Sequence, residues 1–421
     1  MPGHKGIGDV NRYDITEVDG ADSLYSANGI IKESEENAGK LFGAHTFYST
    51  EGSSHSIRAM LHLATLYARA CGKRPLILAG RNAHKAFVSA IALLDIDVDW
   101  LMPEGSSYLS CDITKEYVEE RLKGMESAPT AVYLTSPDYL GNLVDIEGIA
   151  EVCHKYGVLL LVDNAHGAYL KFLPQSRHPI DLGADACCDS AHKTLPVLTG
   201  GAYLHVSLSA PEIFSKNAKN SLSLFGSTSP SYLILASLDG ANRYLAEGYA
   251  KKLSRLTEKI EAIKTSLCEY GHKLVSQEPL KLTLNAKAYG YSGFDLAARL
   301  IDKGFVPEFY DPDFVVLMLT PEIKDAELDR LKEALIAIPR RSAIDELPPK
   351  MQMPTRDMSP REAVLSDCET IPVSTANGRV LAAVTVGCPP AVPILISGER
   401  IDENAIKCFD YYGITECSVV K

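Results

Sequence analysis

The 421-residue sequence predicts an α/β protein: a mostly parallel sheet with flanking helices, followed by smaller α+β units toward the C-terminus. Two observations carry this. Strand-like apolar runs alternate with segments of helical periodicity through the first half of the chain. One of those runs, "VLLLVD", is apolar at every position before its aspartate, as a central strand covered by helices on both faces must be. The composition, 46% hydrophobic and 23% charged, is that of an ordinary globular chain.

The elements follow in order. Residues 1–45 are largely polar and rich in Gly and Asp, and read as an irregular arm. In "SSHSIRAMLHLATLYARACG", Ile57, Met60, Leu61, Ala64 and Ala68 recur at helical spacing. Next come a strand "RPLILAG", a helix "KAFVSAIALLD", a strand "AVYLTSP", a helix "DIEGIAEVCHKYG" and the strand "VLLLVDNA". "ADACCDSA" and "GGAYLHVS" continue the sheet. One long helical stretch at about 231–267 leads from this large domain, residues 46–275, to a small one, residues 276–340. There "LKLTLNA", "GFDLAARLIDKGF", "VVLMLTP" and "DAELDRLKEALIAI" read as strand, helix, strand, helix. A Pro- and charge-rich boundary near 340–360 opens a tail module, residues 341–421.

Several function classes are disfavoured. With 42 basic and 54 acidic side chains, the net charge of −12 argues against a nucleic-acid partner. No apolar run approaches the roughly 20 residues of a membrane span, and the N-terminus lacks the apolar core of a signal peptide. Ten scattered cysteines without a CxxC pair fit reduced thiols in the cytoplasm. Eleven histidines show no HExxH or paired-ligand spacing, so no metal is expected.

In open α/β sheets ligands bind at the carboxyl ends of the strands, and the candidates lie there. Gly52, Ser53 and Ser54 open a helix in "STEGSSHSI"; their amides and hydroxyls suit an anion, or form an ordinary N-cap. His84 in "GRNAHKAF" offers a flat ring to an aromatic ligand, or is a polar loop residue. Asp163 ends the most buried strand, where an ionised carboxylate needs a cation or strong donors. It can equally cap the loop that carries His166. Lys193 follows in "CDSAHKTLPVLTGG", among small and apolar neighbours. Lysines condense with carbonyl groups. Cradle, aspartate and lysine together match the phosphate, ring nitrogen and aldehyde of pyridoxal 5'-phosphate.

The chain also carries "MPGHKG" at its start, "DITE" at Asp14–Glu17, "FYSTEGSSHSIRAML", "RNAHKA", "TSPDYLG", "VDNAHGAY", "DSAHKTLPVLTGGAYLH", "STSPSYLILASLD" and "CPPAVPILISGERI". In these it resembles the Orn/Lys/Arg decarboxylase family, pyridoxal phosphate enzymes of the aspartate aminotransferase fold (fold type I). The resemblance spans nearly the whole chain. It implies that Lys193 takes the cofactor's aldehyde, Asp163 pairs with the ring nitrogen and His84 stacks on the ring. It implies that Gly52, Ser53, Ser54, Ser190 and His192 bind the phosphate. His166 would lie by the phenolic oxygen or the substrate carboxylate, and Ser136 would touch the cofactor. Thr228 and Ser229 would reach the phosphate of a neighbouring subunit, which makes a homodimer with a shared active site. Asp14, Glu17, Asp138 and Glu399 are the candidate acceptors for the distal cation of a basic amino acid.

The implied reaction converts arginine, lysine or ornithine to carbon dioxide and an amine of the polyamine pathways. Another fold type I reaction on an amino acid (aminotransferase or lyase), or a catalytically silent homologue, is the alternative. Departures from the family pattern are Asn164 for Glu, Asp138 for Thr, Tyr169 for His, Cys388 for Tyr, Ala391 for Gly and Ser397 for Pro. The opening at "MPGHKG" and the lack of an N-terminal wing domain indicate a compact form. Met1 is then a late start, or the segment before it is short.

Overall fold

A computed structural model describes residues 3–9, 11–103, 107–384 and 391–421. Cys388 and the two prolines after it lie outside the described residues, as do Met1 and Pro2. Seven strands form the main sheet: β1 (His45–Ser49), β2 (Leu76–Gly80), β3 (Asp97–Leu101), β4 (Ala131–Thr135), β5 (Leu159–Asp163), β6 (Ala186–Asp189) and β7 (Ala202–Val206). Their order is β1-β7-β6-β5-β4-β2-β3. Only β7 runs against its neighbours; the other pairs are parallel.

Burial explains why β5 is central. Leu161 packs on one face beside Phe87 and Phe214, while Leu160 and Val162 pack on the other with Val118 and Ile149. Alternate side chains of one strand thus enter two different cores. The first face is covered by α2 (Ser53–Ala70), α3 (Lys85–Leu94) and helix Glu212–Ser223, the second by helices Lys115–Gly124 and Ile146–Lys155. The strand order reverses at β2, with β3 on one side and β4 on the other. In open α/β sheets ligands bind at such a switch point, which here lies at the carboxyl ends of β2 and β4.

Several elements differ from the sequence reading. Within the expected arm, Ile30–Phe42 forms a helix, α1, which buries Ile31, Ala38 and Phe42 on one stripe. The short strands β1 and β3 were not distinguished in the sequence; each gains its place by pairing with a distant strand. The single long helix is two, Tyr232–Ala246 and Tyr249–Glu269, because Gly248 sits at φ 86° between them.

Two small antiparallel sheets complete the chain. β8 (Lys281–Asn285), β9 (Phe309–Tyr310) and β10 (Phe314–Met318) lie in the order β8-β10-β9; β11 (Cys368–Pro372), β12 (Leu381–Ala383) and β13 (Glu416–Val420) lie in the order β11-β13-β12. β8 is stitched to the loop after β4, where Thr283 Oγ1 donates to the Leu140 carbonyl (2.8 Å) and Lys281 Nζ to the Asp138 carbonyl (3.0 Å). No described helix is long and apolar enough to cross a membrane.

The two-faced burial of β5 sets a stability test. Leu161→Ala is expected to cost about 2–5 kcal/mol in a denaturant melt. Leu224→Ala, at a side chain 60% exposed, is expected to stay within about 0.5 kcal/mol.

Candidate active site

The carboxyl ends of β2, β4, β5 and β6 gather the candidate groups. Asp163 closes β5, only 2% exposed. Its carboxylate accepts from the Ala165 N–H (3.2 Å), the Tyr133 hydroxyl (3.4 Å) and the Cys188 thiol (3.6 Å). Burial pushes its pKa above the ordinary carboxylate value, and the charge of Lys193 draws it back down. A carboxylate in this position is short of a cationic donor.

Lys193 lies on the short helix Ala191–Thr194 that follows β6. Its Nζ stands 2.8 Å from His166 Nε2. Burial first, then Lys193, holds the His166 imidazole well below its ordinary pKa, so the ring is neutral. The other ring nitrogen, Nδ1, is buried without a hydrogen-bond partner. The Tyr139 ring meets His166 edge-on, with centroids 5.0 Å apart.

His84 caps α3, its Nδ1 accepting from the Ala86 N–H (3.1 Å). Burial, then the charges of Lys193 and Lys85, lowers its pKa to about 3 and keeps the ring neutral. Gly52 precedes α2 at φ 74°, where nothing stands within 4 Å of an added Cβ. It brings no capping side chain to this 18-residue helix; the His55 N–H donates to the Gly52 carbonyl (3.1 Å), and the amides of Ser53 and Ser54 have no acceptor among the described residues. Ser190 Oγ donates to Ser53 Oγ (2.7 Å), which brings the β6 end onto this turn. His192 Nδ1 lies 3.0 Å from the Gly201 carbonyl. Gly200 is required where it stands, because a Cβ there would meet the Thr50 carbonyl at 2.7 Å. Ser136 is buried after β4, and its N–H donates to the Asp163 carbonyl (3.0 Å).

The fold thus gathers Gly52, Ser53, Ser54, His84, Ser136, Asp163, His166, Ser190, His192 and Lys193 at adjoining strand ends. The other candidates lie elsewhere or are already engaged. Thr228 and Ser229 are exposed and make no hydrogen bond to the Gly52–Ser54 turn of their own chain among the described residues. Asp14 pairs with His4 (3.3 Å) and Glu17 accepts from Thr16 (2.6 Å), both in the lead-in segment.

Two further candidates are buried and already have partners. Asp138 is buried, and its oxygens are taken by the backbone and side-chain amides of Asn142 (2.9 and 2.8 Å). Glu399 is buried against Arg81 Nη2 (2.7 Å) and also accepts from the Ile396 N–H (2.8 Å). Both carboxylates thus already hold structural partners.

Glu308 was missed. It is half-buried ahead of β9, and its Oε1 accepts from the Tyr139 hydroxyl (3.2 Å). It also lies close enough to His192 to pull that imidazole's pKa up, against the stronger lowering by burial. Only the pairing of small domain with large domain shows this; "VPEFYD" carries no local signal. The fold also assembles His178, Asp189 and His205, whose ligand atoms lie within 4.8 Å of one another although their sequence spacing gave no sign of it. Both imidazoles hydrogen-bond the one carboxylate, which accounts for the grouping.

The descriptions "Orn/Lys/Arg decarboxylase, major domain" and "Orn/Lys/Arg decarboxylase, C-terminal domain" match residues 7–273 and 341–418. The chain belongs to the Orn/Lys/Arg decarboxylase family. Among relatives, the arginine decarboxylase of Bacillus subtilis is 31% identical, over 93% of this chain and 83% of that protein. The arginine decarboxylase of Halalkalibacterium halodurans is 32% identical, over 93% and 82%. In fold the chain is similar to lysine decarboxylase A from Pseudomonas aeruginosa (TM-score 0.81, 18% identity, 100% of this chain and 78% of that one). It is also similar to a lysine decarboxylase of Francisella novicida (0.79, 17%, 100% and 78%).

As a member of the Orn/Lys/Arg decarboxylase family the chain is a decarboxylase acting on basic amino acids, and its cofactor is pyridoxal phosphate. The residues fit that group. Among the described residues no cationic group hydrogen-bonds Asp163 and none partners His166 Nδ1, and the Gly52 turn leaves room where a Cβ would stand. In this family's tail motif, Ala391 adopts φ 57° and its carbonyl accepts from the Lys85 N–H (2.8 Å), next to His84.

If Glu399 serves the frame and not the substrate, Glu399→Gln should weaken the fold. Breaking one side of a buried pair costs about 3–5 kcal/mol. A lower melting temperature with an unchanged preference among arginine, lysine and ornithine is the expected result.

Proposed function

We propose that the protein decarboxylates arginine to agmatine, on pyridoxal phosphate attached at Lys193. One observation supports the site assignment above others: Lys193, His166 and Asp163 converge at the ends of adjacent parallel strands beside an open helix N-terminus. The relatives named arginine decarboxylase, at 31–32% identity over 93% of the chain, support the choice of substrate. A lysine decarboxylase of Pseudomonas aeruginosa is 22% identical.

In this reading Asp163 holds the ring nitrogen protonated, and His84 lies against the ring. Gly52, Ser53, Ser54, Ser190 and His192 hold the phosphate, and Ser136 backs the site through Asp163. When bound, the cofactor supplies an electron sink for the pair left on Cα as carbon dioxide departs. The protein supplies orientation and proton placement. Lys193 Nζ delivers the proton to Cα. Neutral His166, 2.8 Å away, accepts from that amine and fixes its direction. Thr228 and Ser229, exposed on their own chain, are free to reach a neighbouring copy's phosphate, so the working unit is a homodimer in the cytoplasm. Glu308 replaces Asp138 and Glu399 as the acceptor for the distal guanidinium. It is half-buried, its hydroxyl partner Tyr139 touches His166, and it faces the site from the small domain.

Mass spectrometry of the amines formed from equimolar arginine, lysine and ornithine tests the reaction. Agmatine is expected, falling about a thousandfold or more in Lys193→Ala. A cofactor-loaded protein that yields no amine from any of the three would overturn decarboxylation of these substrates. Glu308→Gln is expected to raise KM for arginine about tenfold to a hundredfold, the worth of one charge-assisted hydrogen bond, with kcat changed far less. An unchanged KM would remove Glu308 from the substrate's path.

A further inference from the structure

Behind the candidate groups lies a buried polar cluster that has no part in the reaction as proposed. Asn164 follows Asp163 directly, and its Nδ2 donates to Asp189 Oδ1 (2.6 Å). The other oxygen of Asp189 accepts from His178 Nε2 (3.1 Å) and His205 Nε2 (3.2 Å). His205 Nδ1 in turn meets Thr46 Oγ1 on β1 (2.9 Å). Asn164, His178, Asp189 and His205 are completely buried, and Thr46 is 5% exposed. Burial alone would raise the Asp189 carboxyl's pKa, but the two imidazoles overcome it and hold the group ionised.

The location gives the cluster its meaning. Asn164 sits in the turn that carries Asp163 and His166. That turn closes around Asn164: the Gly167 N–H donates to the Asn164 backbone carbonyl (2.7 Å), and a Cβ on Gly167 would lie 1.9 Å from Asn164 Oδ1. Asp189 ends β6, immediately before the turn that carries Ser190, His192 and Lys193. The Asn164–Asp189 hydrogen bond is thus a side-chain tie between two turns that supply five candidate groups. Its acidic end is held from behind by histidines on β7 and on the loop ahead of β6. Side chains so fixed lose little orientation when their neighbours move.

We infer that Asn164 and Asp189, braced by His178 and His205, are positioning residues that set the spacing between Asp163 and Lys193, and so how pyridoxal phosphate is held. This rests on the proposed roles of Asp163 and Lys193. None of the four residues touches the reacting atoms.

The test is cofactor binding read without turnover. The apoprotein is titrated with pyridoxal phosphate, and the visible absorbance of the bound cofactor is followed against pH. Asn164→Ala cuts the tie and leaves the Asp189–histidine pairs intact. It is expected to weaken uptake about tenfold or more and to move the midpoint of the absorbance titration. Thr46→Val loosens the far end of the brace with little change of volume and is expected to move the same midpoint by less. Leu161→Ala, a cavity on β5 outside the cluster, is the control; it is expected to lower the melting temperature and leave the midpoint in place.

Asn164→Ala with wild-type affinity and midpoint would overturn the inference, whatever its melting temperature. So would a midpoint shift of equal size in Leu161→Ala, because the effect would then be general loosening. A wild-type chain that takes up no cofactor at Lys193 would overturn the site reading itself, and the inference with it.

Discussion

A carboxylate at the end of a strand buried on both faces has no water to hold its charge. Everything around Asp163 responds to that fact. Burial drives its proton affinity up, and the compensation on offer is a lysine charge, one backbone N–H and two weak side-chain donors. A protonated ring nitrogen is the partner that such a group lacks. The same burial strips charge from His166 and His84, which leaves neutral rings beside a cationic lysine.

The sheet makes this possible because six of its seven strands end on one side. The smaller units then close that side. β8 fastens to the loop after β4, and Glu308 comes in ahead of β9. The tail reaches back through Ala391 to the first amide of α3 and through Glu399 to Arg81. Arg81 lies over the Trp100 ring at 5.1 Å, with Nε and Nη1 lacking a hydrogen-bond partner, so its charge rests heavily on that single carboxylate.

Much of this was legible in the sequence, for local reasons. Strand and helix periods alternate, and Lys193 and Asp163 stand out because a charge follows an apolar run. What was not legible depends on distance. β1 and β3 are five residues each and are defined by the strands they pair with. The α1 stripe of Ile31, Ala38 and Phe42 is diluted by charged neighbours. Asp138 and Glu399 look available in a motif because sequence does not show a carboxylate already satisfied by Asn142 or Arg81. Glu308 and the His178–Asp189–His205 grouping need the tertiary fold to bring separate strands and loops together.

The Arg81–Glu399 contact joins residues 318 positions apart. A ribosome makes the chain from its N-terminus, and domains generally begin folding as they emerge. The end of β2 therefore exists, with its guanidinium, long before Glu399, its carboxylate partner among the described residues. The end of β2 beside His84 cannot reach its final form until residue 399 has been made. The tail is thus a timing element as well as a wall: this edge of the sheet waits for a residue made more than three hundred positions later.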